Sequence, residues 1–169
     1  YGHTDTEQDP NSGGRTMNGH YATRWVDQNG LWRNQLQFKN SAGDISPTAG
    51  QIPRSIGLAY ASKLYRHLPE LKERFTDYSK FSNNGNEVCF ATIGDASTSQ
   101  GMFFEAVNAA GVLQVPVIFS IWDDGYGISV PIEYQTTKSS ISKALLGFQR
   151  TDDEPGLEIF VVKAWDYTG

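Results

Sequence analysis

The chain has 169 residues, a length that fits one domain or part of one and can bury a substantial core. It is 38% hydrophobic and 20% charged, with 14 basic against 19 acidic residues and a formal net charge of −5 at pH 7, which excludes a basic nucleic-acid footprint. No apolar run approaches the roughly 18 residues needed to span a bilayer, the single Cys89 excludes an intrachain disulfide framework, and no basic-apolar-small signal segment follows Tyr1, so the expectation is a cytoplasmic domain without a membrane partner.

Residues 1–50 are rich in Gly, Asn, Asp and Thr and read as long loops with one short helix. From Ser46-Pro47 onward the pattern sharpens. Ile52, Ile56, Ala59, Tyr60, Leu64 and Leu68 recur at three- and four-residue steps and predict a helix, with Pro53 in its first turn and Pro69 as its stop. Residues 70–86 are polar and end in the turn signal Asn83-Asn84-Gly85-Asn86. Val88-Cys89-Phe90-Ala91-Thr92-Ile93 is a short continuous apolar run, the pattern of a strand buried on both faces, and it stops at Gly94-Asp95. Helical spacing resumes through Phe103, Phe104, Val107, Ala110, Gly111 and Leu113. Val115-Pro116-Val117-Ile118-Phe119-Ser120-Ile121-Trp122 is a second buried run, ending at Asp123-Asp124-Gly125. Residues 138–147 predict another helix, and Glu158-Ile159-Phe160-Val161-Val162-Lys163-Ala164-Trp165 a third strand. The run of strand, helix, strand, helix, strand predicts an α/β fold with a parallel sheet and flanking helices. We expect a single domain over 1–169, a piece of a longer protein, with a loop-rich segment at 1–45 and a βαβαβ core at 46–169. There is no internal repeat and no low-complexity tract.

In such sheets the ligand crevice lies outside the carboxyl ends of the strands. Two acidic signals fall there. Asp95 follows the first strand and Asp123-Asp124 the second, one strand-helix-strand unit apart. Either signal alone is more often just a turn. Together, on neighbouring strands, they bring carboxylates into reach of one hard divalent cation such as Mg²⁺, which takes oxygen ligands and commonly keeps phosphate or water among them. After Asp95 come the small residues Ala96-Ser97-Thr98-Ser99, leading into a helix whose first N–H groups suit a phosphate, with Ser97 or Thr98 as candidate caps. Metal ligands beside a helix N-terminus suggest a magnesium-bound diphosphate. No Gly-Lys-Ser/Thr follows, so this is not a Walker A loop.

The segment Gly94-Asp95-Ala96-Ser97-Thr98-Ser99-Gln100-Gly101, with Glu105-Ala106, Asn108, Ala110, Pro116 and Asp123-Asp124-Gly125-Tyr126-Gly127-Ile128-Ser129, resembles the thiamine diphosphate motif, which runs from Gly-Asp-Gly to Asn-Asn. The extended form is similar to the alpha part of 2-oxoacid dehydrogenase E1 components. Upstream, Gly14-Arg15-Thr16-Met17-Asn18-Gly19-His20-Tyr21 and Ser46-Pro47-Thr48-Ala49-Gly50-Gln51-Ile52-Pro53 are similar to further family segments in the same order. The details are most similar to branched-chain-type E1 proteins, with alpha and beta parts separate or fused.

The resemblance implies a thiamine diphosphate-binding fold with thiamine diphosphate and Mg²⁺ as cofactors. Asp95 and Asp124 would be side-chain metal ligands, and Tyr126 would give its backbone carbonyl. Gly94, Asp95, Ala96, Ser97, Asp124, Tyr126 and Ile128 would line the cofactor, the N–H groups of Ala96 and Ser97 meeting the diphosphate. Ser46 and Thr48 would lie by the aminopyrimidine end, and His20 near the active-site entrance as the candidate catalytic residue. The implied reaction is oxidative decarboxylation of a 2-oxo acid with acyl transfer to a lipoyl-bearing E2 partner. It implies an E1 beta part and a dimer or heterotetramer, with the activating glutamate and main catalytic histidines outside this segment. A transketolase-type transferase and a non-catalytic assembly domain are the alternatives. Three positions depart from the pattern: Ala96 replaces the motif's second glycine, Asp123-Asp124 replaces Asn-Asn, and Trp122 stands where some members carry a charge. Arg15, Glu105 and Asn108 read equally as site or surface residues. His3 and His67 read as solvated. Trp25, Trp32, Trp165 and Cys89 read as packing.

Overall fold

The structure, a computed structural model, describes residues 22–43 and 46–163. Asn34 opens the first described element. Its side chain accepts the Leu36 N–H and caps a single 3-10 turn at Gln35–Gln37. The first long helix, α1, spans Gln51–His67. Pro53 lies in its opening turn, where a missing N–H costs nothing, and it ends at Leu68, whose N–H closes on the Leu64 carbonyl just before Pro69. The polar stretch that follows forms two short helices, α2 at Glu70–Arg74 and α3 at Tyr78–Phe81. The predicted turn is present: Asn84 and Gly85 have φ of 57° and 73°. Gly85 is buried there, and its N–H donates to Ser82 Oγ at 2.8 Å.

Strand β1 is Cys89–Gly94, helix α4 is Gly101–Leu113, and strand β2 is Val117–Trp122. The two strands pair in parallel from Cys89 opposite Val117 to Gly94 opposite Trp122. A parallel pair needs a crossover of a dozen or so residues, and α4 supplies it. A two-rung hairpin follows, β3 at Tyr126–Gly127 and β4 at Val130–Pro131. The helix expected over 138–147 is broken into a 3-10 turn at Thr137–Ser139, the short helix α5 at Ile141–Ala144 capped by Ser140 Oγ, and a 3-10 turn at Leu146–Phe148. The left-handed Lys138 (φ 65°) and Ser139 (φ 46°) interrupt it.

The core lies on one face of the sheet. Ala91 and Ile93 of β1 pack with Ile52 and Ile56 of α1, Phe103, Ala106, Val107 and Ala110 of α4, and Ile141 and Leu145 from the α5 region. Val117, Phe119 and Ile121 of β2 join them. The other face is bare: Phe90 is 64% exposed, Ile118 51% and Trp122 71%. The expectation of strands buried on both faces is therefore corrected. A continuous apolar run matches a two-sided strand, but within the described residues helices cover only the face on which Ala91, Ile93 and Phe119 project.

The third strand is also corrected. Among the described residues, 158–163 form no strand, and only an isolated parallel bridge joins Gln149 to Leu157. Phe160, Val161 and Val162 stand exposed. A strand exists only where its backbone groups find a ladder, and Leu157 is the last described residue assigned a bridge. The described core is βαβ rather than βαβαβ. Residues 164–169 lie outside the described residues, as do 1–21 and 44–45.

Two stability predictions follow from this packing. Phe103 is fully buried between the strands and α1, so Phe103→Ala should lower the unfolding free energy by about 3–5 kcal/mol in a denaturant titration. At Gly85 a Cβ would stand 2.7 Å from Arg66 N and 2.8 Å from Arg66 Cβ, at positive φ. Gly85→Ala should cost about 1–3 kcal/mol in the same measurement.

Candidate functional site

The register of β1 and β2 decides the geometry of the candidate site. Gly94 lies opposite Trp122, and the pairing continues one step further, with the Asp95 N–H donating to the Trp122 carbonyl at 3.1 Å. Asp95 and the Asp123-Asp124 pair thus leave the sheet side by side at its carboxyl edge, as the spacing predicted.

Asp95 is 3% exposed. Its own carbonyl accepts the Thr98 N–H at 3.1 Å and the Thr98 hydroxyl at 2.5 Å, which tightens residues 96–99 into a 3-10 turn. Burial pushes the Asp95 carboxyl above its ordinary pKa. The Ala96 N–H works against that shift, while the charges of Asp123 and then Asp124 add to it. A buried carboxyl flanked by two others resists ionisation unless a cation shares the space.

The expected helix cap is corrected here. The 3-10 turn at Ala96–Ser99 stands between Asp95 and α4, and the residue before α4 is Gln100, which makes no side-chain cap. Thr98 is buried and spends its hydroxyl on Asp95, not on the helix start.

Asp123 and Asp124 are exposed and form successive turns: Asp123 Oδ1 accepts the Gly125 N–H and Asp124 Oδ1 the Tyr126 N–H, each at 3.1 Å. Gly125 takes φ 79°, a conformation glycine adopts without penalty. Opposite Tyr126 stands Pro131, which has no N–H to offer the Tyr126 carbonyl. The hairpin tip is strained. Ile128, β-branched, has φ 59° and is fully exposed. Its side chain stands clear at the tip, so the structure does not gather Ile128 with the acidic residues.

Ala96 replaces a motif glycine, and the structure shows where its methyl group goes. A Cβ built on Gly127 would lie 2.7 Å from Ala96 Cβ and 2.5 Å from Gln135 Nε2. The methyl of Ala96 therefore packs over a position that has none.

Ser46 and Thr48 are exposed in the turn that enters α1, beside Ala49 at φ 66°. The first side chain of α1, Gln51, donates Nε2 to the Thr92 carbonyl at 2.9 Å, which ties this turn to the carboxyl half of β1. Glu105 and Asn108 are exposed on α4. His67 is exposed at the end of α1, with Nδ1 2.8 Å from the Lys63 carbonyl. Burial raises the Cys89 thiol, which keeps it protonated and inert. His20, Arg15 and His3 lie outside the described residues. Among the described residues no group of three or more His, Cys, Asp and Glu side chains is arranged to hold a metal by itself, and no helix is long and apolar enough to cross a membrane. The sequence signals nothing at Gln135, and Gln51 stands out only within a longer segment. A glutamine carries no signal of its own, and Gly127 drew notice only as part of a motif.

Residues 11–149 match the family model described as dehydrogenase E1 component. The chain is 30% identical over 140 residues to the 2-oxoisovalerate dehydrogenase subunit alpha of Bacillus subtilis, covering 83% of this chain and 33% of that protein. It is 29% identical over 152 residues to the 3-methyl-2-oxobutanoate dehydrogenase subunit alpha of Mycobacterium tuberculosis, covering 86% and 36%. It is 27% identical over 124 residues to the human pyruvate dehydrogenase E1 component subunit alpha, somatic form, mitochondrial, covering 73% and 26%. The chain thus spans about a third of the length of the curated relatives it matches. With most of its residues inside the matched region, the chain belongs to the dehydrogenase E1 component family, among relatives that are alpha subunits of 2-oxoacid dehydrogenases.

Proposed function

We propose that this chain is the diphosphate-binding part of a 2-oxoacid dehydrogenase E1 component, adopting the thiamine diphosphate-binding fold and holding thiamine diphosphate through Mg²⁺. The observation that carries this reading is the parallel register that sets Asp95 beside Asp123 and Asp124 at the carboxyl edge. The residues fit the group. Asp95 is a buried carboxylate pressed by two like charges, and a divalent cation relieves that repulsion. Asp124 and the Tyr126 carbonyl offer further oxygen ligands. Mg²⁺ draws its remaining ligands from diphosphate and water.

In this reading Asp95 and Asp124 bind the metal, with Tyr126 through its carbonyl. Gly94, Ala96 and Ser97 border the cofactor, while Ile128, exposed at the hairpin tip, is left out of this reading. Ser46 and Thr48 meet its aminopyrimidine end, and His20 serves the active-site entrance. Thiamine diphosphate supplies the ylid that adds to a 2-oxo acid carbonyl and accepts the electron pair left by loss of CO₂; the protein supplies binding, orientation and electrostatics. The whole enzyme then passes the acyl group to a lipoyl-bearing E2 partner, with an E1 beta part completing the site in a dimer or heterotetramer. The names of the relatives support a branched-chain or related 2-oxo acid as substrate. The Ala96 departure does not favour an assembly-only role, because Gly127 leaves room for its methyl group.

Calorimetric titration of the full-length protein with thiamine diphosphate and Mg²⁺ tests the proposal. Saturable, Mg²⁺-dependent heat is the expected result, together with CO₂ release from 2-oxo acids. Silence in the titration would return the chain to an assembly role, and ketol transfer between sugars without CO₂ release would return it to the transketolase type.

Substitutions at the two carboxylates should separate binding from stability. A carboxyl whose pKa is raised by folding stabilises the native state at low pH. That contribution is lost as pH rises through the raised value, so ionised Asp95 is a burden at neutral pH without metal. Asp95→Asn should therefore raise Tm of the metal-free protein at pH 7 while weakening Mg²⁺-dependent cofactor binding in the calorimetric titration. Asp124→Asn keeps an oxygen for the Tyr126 N–H and removes a negative charge near the diphosphate. It should bind cofactor at least as well as the parent and reach half-saturation at lower Mg²⁺.

A further inference from the structure

Gln135 joins the two halves of the candidate site. Its Nε2 donates to the Val130 carbonyl on β4 at 2.6 Å. Both ends of its amide reach Gly127 on β3, where a Cβ would lie 2.5 Å from Nε2 and 2.7 Å from Oε1. Its backbone carbonyl accepts the Ser99 hydroxyl at 3.3 Å, the last residue of the 3-10 turn that Asp95 opens. Its backbone N–H closes on the Ile132 carbonyl at 3.0 Å, and the Ile132 N–H on the Gly125 carbonyl at 2.9 Å. One residue therefore grips both strands of the hairpin by its side chain and the Ala96–Ser99 turn by its main chain.

The hairpin needs such a grip. It has two rungs, a strained Ile128 at its tip and a proline in β4, and an isolated ribbon of that size does not hold itself together in water. Yet its first strand begins at Tyr126, directly after Asp124, so any play in the hairpin moves the Asp124 carboxylate and the Tyr126 carbonyl relative to Asp95.

We propose that Gln135 is a positioning residue: its amide latches the Tyr126–Pro131 hairpin onto the turn after Asp95 and so sets the spacing between the two sets of metal-binding oxygens. This rests on the cofactor reading above for its purpose, but the latch itself is a property of the chain. The same packing makes Gly127 sensitive to substitution, since a Cβ there would push against the Ala96 methyl and displace the Gln135 amide.

Gln135→Met fills the same space without an N–H donor, and Gln135→Glu keeps the shape while replacing the donor by an acceptor. In the full chain, amide hydrogen exchange should speed up in residues 125–131 by about tenfold in both variants, the upper end of what one net hydrogen bond is worth. Exchange in α4 should not change. Calorimetry with Mg²⁺ and thiamine diphosphate should show half-saturating Mg²⁺ raised by a similar factor, with the heat at saturation retained. A merely structural role would move exchange and leave the Mg²⁺ requirement where it was, and that result overturns the proposal, as does unchanged exchange in the hairpin. If the parent protein itself gives no heat with Mg²⁺ and thiamine diphosphate, the cofactor reading falls and the positioning role falls with it, while faster hairpin exchange in the variants would show that the mechanical latch is real.

Discussion

A parallel pair of strands held in one register is the constraint on which the rest of the chain depends. Cys89 pairs with Val117 and Gly94 with Trp122, and the next residue on each strand is acidic. Parallel strands run the same way, so their carboxyl ends share an edge, and helix α4 between them keeps that edge fixed by packing Phe103, Ala106, Val107 and Ala110 against one face. The chemistry at the edge is then a matter of burial and like charge. Asp95 is enclosed and its neighbours are not, and its burial beside their charges raises its carboxyl above the ordinary pKa. A slip of one residue in the register would move each side chain of the shifted strand to the opposite face of the sheet.

Behind Asp95, volume is exchanged between two loops. A methyl group at Ala96 narrows the turn after Asp95, and the bare backbone of Gly127 recedes in front of it. The two residues belong to different loops and meet only because the hairpin folds back on the 3-10 turn. Strain concentrates in the same region: Ile128 sits at positive φ without glycine's freedom, and Gly125 turns the chain directly after the acidic pair. Residues held in such conformations persist where surrounding structure over-determines them, and they cluster at ligand-binding loops. Here Gln135 and the two turns closed by Asp123 and Asp124 do the determining.

The second face of the sheet carries the other lesson. Phe90, Ile118 and Trp122 project from it into solvent, whereas parallel sheets are ordinarily covered on both sides. The chain spans about a third of its relatives' lengths, and its strands are composed for a more enclosed setting than its described residues provide. Reading Val88 to Ile93 as doubly buried followed the composition faithfully. Burial itself depends on what packs against the strand, and that is not written in the strand.

Much of the fold was legible because local rules act alone over short distances. Periodicity and two prolines bounded α1, Asn84 and Gly85 marked a turn that needs positive φ, and apolar runs ending in Gly94-Asp95 and Asp123-Asp124 located both strands and the acidic residues at their tips. Order along the chain also predicted that those tips would meet, since consecutive strands joined by one helix pair in parallel. Tertiary structure alone decided the rest. Among the described residues, 158–163 are apolar enough for a strand but form none. Thr98 caps nothing because Asp95 claims its hydroxyl. Gln135 and Gly127 acquire a role only from residues distant in sequence. Backbone propensity and side-chain pattern are properties of neighbours along the chain, whereas hydrogen-bond partners, excluded volume and the enclosure of a charge are properties of neighbours in space.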